Sequence, residues 1–261
     1  MSAEDGELKE LEQLTQALCR ISEGAGGEIM QVYETAFEVH DKADQSPVTD
    51  ADTRAERYIL KELKKLAPQI PVVAEESFAA GNVPDIQGKD FFLVDPLDGT
   101  KEFVSRNGEF TVNIALIRAG RPIAGVVHLP VLDITYWSDG HRAWRKKDNQ
   151  VTQIHCRKPD SDGLTVIASR SHRDAKTDAF LEDYKIKELI SAGSSLKLCR
   201  VAEGSADFYP RLGRTMEWDI ASGHAVLLAA GGSVTHLDGS DFLYGKPGFD
   251  NAFFKAEGLP A

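Results

Sequence analysis

Apolar residues recur at helical spacing in the N-terminal part of the chain. One set, with members three or four residues apart, consists of Leu8, Leu11, Leu14, Leu18 and Ile21. This period of about 3.6 residues predicts a long amphipathic helix, which could continue past Gly26-Gly27 towards Val39. A second helix is expected over residues 52–66, where one face carries Ala55, Ile59, Leu63 and Leu66.

The pattern then changes to short segments rich in β-forming residues, separated by Gly, Pro or Asp. Strands are expected at residues 71–74, 91–94, 110–118, 123–129 and 134–137. Turns as short as Ala119-Gly120 between consecutive strands favour antiparallel pairing.

The second part of the chain alternates between strand and helix patterns. Strands are expected at residues 164–168, 187–191 and 208–212, and helices at residues 174–181, 195–203 and 219–230. The polar stretch 145–162, with Lys146-Lys147-Asp148-Asn149, is predicted as a linker. The sequence therefore predicts an α/β fold of layered helices and sheets, with an N-terminal α+β half (1–150) and a C-terminal α/β half (151–261).

Composition narrows the choice of partners. A chain of 261 residues with a formal charge of -11 has no basic excess with which to bind a nucleic-acid polymer. The same charge suits a small phosphate ester only if several carboxylates bind cations. The three cysteines are far apart, which favours reduced thiols. No apolar run approaches the roughly 20 residues of a membrane span, and the N-terminus lacks a secretory pattern, so a cytoplasmic location is expected.

The strongest chemical signal is the run Asp95-Pro96-Leu97-Asp98-Gly99-Thr100, which directly follows an apolar strand. A buried strand that ends in two acids places both carboxylates at the edge of a sheet. Pro96 favours a tight loop, and the Leu97 carbonyl adds an oxygen of the kind that magnesium prefers. The backbone N–H groups of Gly99 and Thr100 could hold a phosphate oxygen. An isolated Asp-Gly pair would more often be a simple turn.

Further acids lie at the ends of predicted elements. Glu75 and Glu76 follow a strand, Asp50 and Asp52 follow Ser46-Pro47-Val48-Thr49 at the start of a helix, and Asp219 opens another helix. Each has an alternative structural reading, as a solvated loop pair or as a helix N-cap. Together they supply enough carboxylates for two metal ions and a group that orients water.

Three motifs make the chain resemble the inositol monophosphatase superfamily. They are Ser46-Pro47-Val48-Thr49 with Asp52, Glu75-Glu76-Ser77 followed by the run 95–100, and Trp218-Asp219-Ile220-Ala221-Ser222-Gly223-His224. Four longer stretches are similar to its branch of 3'(2'),5'-bisphosphate nucleotidases. These are Lys101-Glu102-Phe103, the run from Arg106 to Leu116, Ser194-Ser195-Leu196-Lys197, and Tyr209-Pro210-Arg211.

The resemblance implies a fold and a set of residue roles. The fold would be an αβαβα sandwich with a mostly antiparallel first sheet and a smaller mixed second sheet. The metal ligands would be Glu75, Asp95, the Leu97 carbonyl, Asp98 and Asp219. Thr100 with Asp52 would orient the attacking water. The catalytic residues would be these two together with Glu75 and Asp95. Gly99 and Thr100 would hold the departing phosphate, next to Asp219, and Ser194, Lys197 and Arg211 would bind a second phosphate.

The implied reaction is hydrolysis of 3'-phosphoadenosine 5'-phosphate to AMP and phosphate, with two or three Mg²⁺ ions per site and no covalent phosphoenzyme. The resemblance also implies a role in sulfur assimilation and inhibition by lithium. Whether the chain is a monomer or a homodimer stays open. The histidines His128, His172 and His224 are not required by metal chemistry.

Three other functions share parts of this sequence pattern. A phosphatase of inositol phosphates or fructose 1,6-bisphosphate would use the same metal core. Haloacid dehalogenases also carry Asp-Gly-Thr, but they space their acids as Asp-x-Asp, whereas two residues separate Asp95 from Asp98. A noncatalytic, metal-dependent phosphate-binding module is disfavoured because every expected ligand and both water-orienting residues are present.

Overall fold

The computed structural model describes residues 3–36, 38–41, 47–170 and 175–260. The sequence predictions that involve Ser46, His172 and Asp174 lie outside these residues. Within them, every helix is too short or too polar to cross a bilayer.

The structure contains helices and strands close to those that the sequence predicts. The helices are α1 (Ala3–Tyr33), α2 (Asp50–Leu66), α3 (Glu75–Ala79), α4 (Thr100–Val104), α5 (Ala175–Leu181), α6 (Leu196–Ala202) and α7 (Glu217–Ala229), with a 3-10 turn at Pro247–Phe249. The strands are β1 (His40–Asp41), β2 (Pro47–Val48), β3 (Val72–Ala74), β4 (Phe91–Asp98), β5 (Thr111–Arg118), β6 (Arg121–Leu129), β7 (Ile134–Ser138), β8 (Ala143–Lys147), β9 (Gln150–Ile154), β10 (Leu164–Ser169), β11 (Ile186–Ala192), β12 (Phe208–Arg211), β13 (Ser233–His236) and β14 (Phe254–Glu257).

Two large sheets organise these elements. The first runs β3-β4-β5-β6-β7-β8-β9, and all of its pairs except β3 with β4 are antiparallel. The second runs β11-β10-β12-β14-β13 and mixes parallel with antiparallel pairs. Strands β1 and β2 form a separate two-stranded ribbon. The expected combination of a mostly antiparallel sheet with a smaller mixed sheet is confirmed.

Alternating side chains of the first sheet build two cores. On β4, Phe92 and Val94 pack with α1 and α2, while Phe91 and Leu93 face the core that contains α6 and α7. Both faces of the strand are buried, which explains its uninterrupted apolar sequence. A third, small cluster puts Leu181 of α5 on the outer face of the second sheet. The layers are therefore helix, sheet, helix, sheet, helix, as the resemblance implies.

Helix α7 crosses close to the first sheet because β6 contains Gly125. A Cβ at this glycine would lie 2.5 Å from the Ser222 carbonyl oxygen and 2.8 Å from the Ala225 Cβ. Any larger residue at 125 would push the helix away from the sheet. The N-terminal end of α7, which carries Asp219, takes its position from this contact.

The linker predicted over residues 145–162 is wrong for its first ten residues, which continue β8 and form β9. Asp148 and Asn149 have φ values of 50° and 60°, as a two-residue hairpin turn requires. Strand β9 lies at the sheet edge and is mostly exposed. Its polar sequence therefore resembles that of a linker. The predicted boundary at residue 150 falls on the first residue of β9, and the division into two halves stays a prediction.

The other differences are small. Helix α1 continues past Gly26-Gly27, as expected, but ends at Tyr33 and does not reach Val39. Helix α7 begins at Glu217, two residues before the expected start. Helices α3 and α4 and strands β1, β2, β13 and β14 have no counterpart among the predicted elements, although β14 lies inside the second sheet between β12 and β13.

Candidate functional site

The C-terminal end of β4 and the turn after it are shaped by their own acids. The Asp95 side chain is buried, and its Oδ1 accepts a hydrogen bond of 3.0 Å from the Leu97 backbone N–H. The register between β4 and β5 shifts between Asp95 and Asp98, so the intervening residues bulge from the ladder. Gly99 then adopts φ 90° and caps α4, which begins at Thr100. Asp98-Gly99 therefore does form a turn, and the same turn is where the metal and phosphate site is expected.

Asp52 and Thr100 are brought together from distant parts of the chain. Thr49 caps α2, and its backbone N–H and its hydroxyl both donate to Asp52 Oδ2 at 2.8 Å. The Thr100 hydroxyl lies 3.4 Å from Asp52 Oδ1 and 3.5 Å from the Leu97 carbonyl oxygen. Asp52 is the third residue of α2 and takes part in a capping box, so its capping role and its contact with Thr100 coexist.

Glu75 is the first residue of α3 and follows β3 at the edge of the first sheet. The start of α3 is held by Glu56, whose carboxylate accepts bonds of 2.8 Å from the Glu76 N–H and 2.7 Å from the Ser77 hydroxyl. Glu56 is one helical turn after Asp52, so α2 supports two parts of the site through one buried face.

Asp219 is the third residue of α7, not its N-cap. Its Oδ2 accepts a hydrogen bond of 2.9 Å from the N–H of Met216, which occupies the cap position. The neighbouring Glu217 is fully buried, and its carboxylate accepts bonds from the N–H groups of Gly245 and Lys246. These contacts tie the start of α7 to the C-terminal segment.

A loop from the second sheet faces the acids. Ser194 has φ 43°, an uncommon conformation for a residue other than glycine, and its hydroxyl donates to the Glu109 carbonyl at 2.8 Å. The Gly193 N–H donates to Glu109 Oε2, also at 2.8 Å. Glu109, just before β5, thus holds this loop through two hydrogen bonds.

Two cations lie beyond this loop. Lys197 and Arg211 are both largely buried. The Lys197 Nζ donates to the Ser194 carbonyl at 2.5 Å and lies 5.4 Å from the centre of the Tyr209 ring. The Arg211 guanidinium donates to the Arg214 carbonyl at 3.0 Å, and its Nε is buried without a hydrogen-bond partner among the described residues. Such a guanidinium retains donors for an anion.

One cavity of about 610 Å³ joins these groups. Eight of the expected site residues line it: Glu75, Asp98, Gly99, Thr100, Ser194, Lys197, Arg211 and Asp219. The other three, Asp52, Asp95 and Leu97, are buried behind this lining. The volume is that of a typical small-molecule site.

The charges in the cavity perturb one another. Loss of solvent raises the pKa of Asp219 well above its usual value, and the neighbouring Asp98 and Glu75 raise it further. Loss of solvent also raises the pKa of Asp98, although Lys197 and the Ser195 hydrogen bonds oppose this. The pKa of Lys197 falls to about 8, mainly through burial. Oxygen ligands that destabilise one another in this way fit a divalent cation, which would relieve their repulsion.

The carboxylates are nevertheless not gathered at coordination distance. The described residues contain no group of three or more His, Cys, Asp or Glu side chains arranged to hold a metal ion. Asp98 Oδ2 and Asp219 Oδ2 are each turned towards a backbone N–H. Each of these carboxylates is thus held through Oδ2, and a cation bound through the other oxygens would draw the two residues closer together.

Two of the three histidines have structural surroundings. His128 is buried, with its Nδ1 3.0 Å from the Thr135 hydroxyl, and burial lowers its pKa to about 4. His224 is buried beside the Tyr244 hydroxyl, and burial lowers its pKa to about 3. Both are outside the lining of the cavity.

Sequence reasoning missed several supporting residues, among them Glu56, Glu109, Asn113 and Ser195. Glu56 carried a usable signal, since it lies among apolar residues on the inner face of a predicted helix, four residues after Asp52. The others depend on contacts between distant segments, for which a single sequence offers no local pattern.

Comparison with known proteins agrees with the fold and the motifs. The family model described as "Inositol monophosphatase family" matches residues 10–256. The chain is 45% identical over 233 residues to the 3'(2'),5'-bisphosphate nucleotidase CysQ of Salmonella typhimurium, which covers 88% of this chain and 94% of that protein. The corresponding protein of Escherichia coli K12 is 45% identical over 229 residues, or 87% of this chain and 92% of the relative.

Solved structures give the same result. The crystal structure of CysQ from Bacteroides thetaiotaomicron superposes with a TM-score of 0.80 at 35% identity, covering 95% of this chain and 97% of that one. A Thermotoga maritima IMPase superposes with a TM-score of 0.74 at 25% identity, covering 92% and 89% of the two chains. With the family model matching nearly its whole length, this chain belongs to the inositol monophosphatase family.

Proposed function

We propose that this chain is a magnesium-dependent phosphomonoesterase that hydrolyses 3'-phosphoadenosine 5'-phosphate to AMP and phosphate. The observation that carries the proposal is that one cavity is lined by two sets of charged groups. The carboxylates form one set, called the acidic end, and the buried cations Lys197 and Arg211 form the other, called the cationic end. The two relatives that are 45% identical to this chain over most of their length are bisphosphate nucleotidases. A substrate with two phosphates matches a site with two places for them.

The acidic end would hold the metal ions. Its donors are the carboxylates of Glu75, Asp95, Asp98 and Asp219 with the Leu97 carbonyl, all oxygen atoms of the kind that Mg²⁺ prefers. Bound Mg²⁺ would supply Lewis-acid polarisation and charge neutralisation at the phosphoryl group that is removed. The number of ions, two or three by the family pattern, is part of the proposal.

Thr100 and Asp52 would orient the attacking water. Asp52 Oδ2 is occupied by Thr49, so Oδ1 is the oxygen that faces the Thr100 hydroxyl. A hydroxyl that donates to Asp52 presents its lone pairs to a water molecule in the cavity and aligns that water for attack. The N–H groups of Gly99 and Thr100 at the start of α4 would donate hydrogen bonds to the phosphate oxygens.

The cationic end would select the substrate. Arg211 presents a planar fork with a buried Nε that has no partner in the described part of the chain, and Lys197 adds a compact charge. A 5'-phosphate bound here would gain charge-assisted hydrogen bonds in a site largely shielded from water. Ser194, on the strained loop, would add a hydroxyl by turning its proton from the Glu109 carbonyl to the phosphate.

A substrate panel tests the proposal. Phosphate release would be measured with 3'-phosphoadenosine 5'-phosphate, its sulfated relative, inositol 1-phosphate and fructose 1,6-bisphosphate, each with Mg²⁺ and with EDTA. We expect the highest kcat/KM on an adenosine bisphosphate compound and no release in EDTA. A preference for inositol 1-phosphate or the sugar bisphosphate would show that the enzyme is a phosphatase of that substrate class instead. Absence of release from every substrate would instead support a noncatalytic phosphate-binding protein.

A further inference from the structure

Ser195 lies where the two ends of the cavity meet. It directly precedes α6, its side chain is buried, and it follows the strained Ser194 of the cationic end. Its backbone N–H donates to Asp98 Oδ2 at 2.6 Å, so the residue also touches the acidic end.

The hydroxyl of Ser195 contacts both parts of the acidic end. Its Oγ lies 2.9 Å from Asp98 Oδ2 and 2.6 Å from the Asp219 carbonyl oxygen. The side-chain amide of Asn113 donates to this Oγ at 2.9 Å. Because a hydroxyl has one proton, it donates to one of the two oxygens at a time, while Asn113 occupies an acceptor position.

These contacts leave the two oxygens of Asp98 in different roles. Every hydrogen bond to the Asp98 side chain from a described residue ends on Oδ2, with donors from Ser195, Asn113 and Thr111. Oδ1 receives none of them, and Asp98 lines the cavity. A carboxylate held through one oxygen presents the other to a cation in a fixed direction.

We propose that Ser195 is a positioning residue for metal binding: its hydroxyl orients Asp98 and links it to the first turn of α7, which carries Asp219. This inference rests on the proposed function and deepens it, because the residue next to the second-phosphate loop then sets the affinity of the metal site. In this role Ser195 acts through Asp98 and is not itself a metal ligand.

The matched control for this hydroxyl is Ser222 on α7. Ser222 is also buried, but its Oγ has no hydrogen-bond partner among the described residues. Ser195→Ala and Ser222→Ala therefore remove the same atom from similarly buried positions, and only the first loses contacts to the site.

The test is binding of Mn²⁺ to the metal-free protein without substrate, followed by electron paramagnetic resonance, with the Tm in EDTA measured for each variant. We expect Ser195→Ala to weaken Mn²⁺ binding by about 10- to 100-fold, as is usual when a residue that supports a metal ligand is lost. Ser222→Ala should bind as the wild type does. Asn113→Ala, which removes the donor to the Ser195 hydroxyl and a longer contact to Asp98 itself, should change the affinity in the same direction by less.

The outcomes separate this inference from the proposed function. If the wild type binds no Mn²⁺, the proposed function fails together with the inference. If the wild type binds and Ser195→Ala binds equally well, only the role of Ser195 is overturned. Should Ser195→Ala fail to fold, wild-type affinity in Asn113→Ala overturns it. A loss of Mn²⁺ affinity equal in Ser195→Ala and Ser222→Ala would indicate a general packing effect and would also overturn it.

Discussion

The acidic and cationic ends of the cavity are built in different ways. At the acidic end, Asp52, Asp98 and Asp219 each accept hydrogen bonds from nearby backbone N–H groups or hydroxyls, so the protein fixes the carboxylates itself. At the cationic end, Lys197 and Arg211 each donate to a single backbone carbonyl within the described part of the chain.

This difference assigns different tasks to the two ends. A group that is rigidly held serves chemistry, because a reacting atom must be positioned closely. A buried cation with weakly satisfied donors serves recognition, because an anion completes its hydrogen bonding. We therefore expect changes at the acidic end to lower kcat and changes at the cationic end to raise KM.

The largest expected effect is at Asp95. Asp95→Asn keeps the Oδ1 that accepts from the Leu97 N–H, so the loop should stay intact while the charge is lost. We expect no measurable phosphate release and a Tm in EDTA close to that of the wild type. Substantial turnover in this variant would contradict the assignment of Asp95 to the metal site.

A smaller loss is expected at Thr100. Thr100→Val removes the hydroxyl that faces Asp52 and should lower kcat by about 10²- to 10⁴-fold with little change in KM, which is the range for loss of a group that handles the proton of water. Thr235→Val is the control, because the Thr235 hydroxyl is buried without a partner in the described residues. A kcat for Thr100→Val equal to that of Thr235→Val would remove Thr100 from the catalytic pair.

At the cationic end, Arg211→Met should act on binding. The variant keeps the apolar stem and loses the charge, so KM for 3'-phosphoadenosine 5'-phosphate should rise by about 10- to 100-fold, the equivalent of one charge-assisted hydrogen bond. KM for adenosine 3'-phosphate, which lacks the second phosphate, should change little. An equal rise for both substrates would place the 5'-phosphate elsewhere.

The smallest effect concerns pH. Burial, together with the charge of Arg211, lowers the pKa of Lys197 to about 8, so its ammonium loses its proton as the pH rises through that value. The neutral amine attracts a phosphate less, and KM for the bisphosphate should therefore rise between pH 7 and pH 9. KM for adenosine 3'-phosphate, measured at the same pH values, serves as the control. A flat profile for the bisphosphate would show that Lys197 does not contact its second phosphate.

The two ends also differ in how far the sequence could predict them. Asp95, Asp98, Glu75 and Asp219 could be identified because each follows a strand or starts a helix, where periodicity marks the boundary. Lys197 and Arg211 came only from the resemblance, since a single basic residue on a helix or strand carries no local signal. Ser195 and Asn113 were missed because their contacts join segments far apart in the chain.

The fold shows a similar division. Buried strands such as β4 and β5 were expected because apolar sequence marks them directly. Most of the hairpin of β8 and β9 has the composition of a linker because an exposed edge requires few apolar residues. The capping role of Thr49 towards Asp52 depends on a hydrogen-bond pattern that composition does not reveal.

The central claim is that carboxylates from β4, α3 and α7 gather around divalent cations beside the phosphate site. Its most direct test is a crystal structure with Mn²⁺, in which the anomalous signal locates the ions. The account predicts Mn²⁺ within coordination distance of Asp95 and Asp98, with Glu75 and Asp219 completing the site and Asp98 still held at Oδ2 by Ser195. Carboxylates that remain turned apart at saturating Mn²⁺, with no anomalous peak between them, would contradict it.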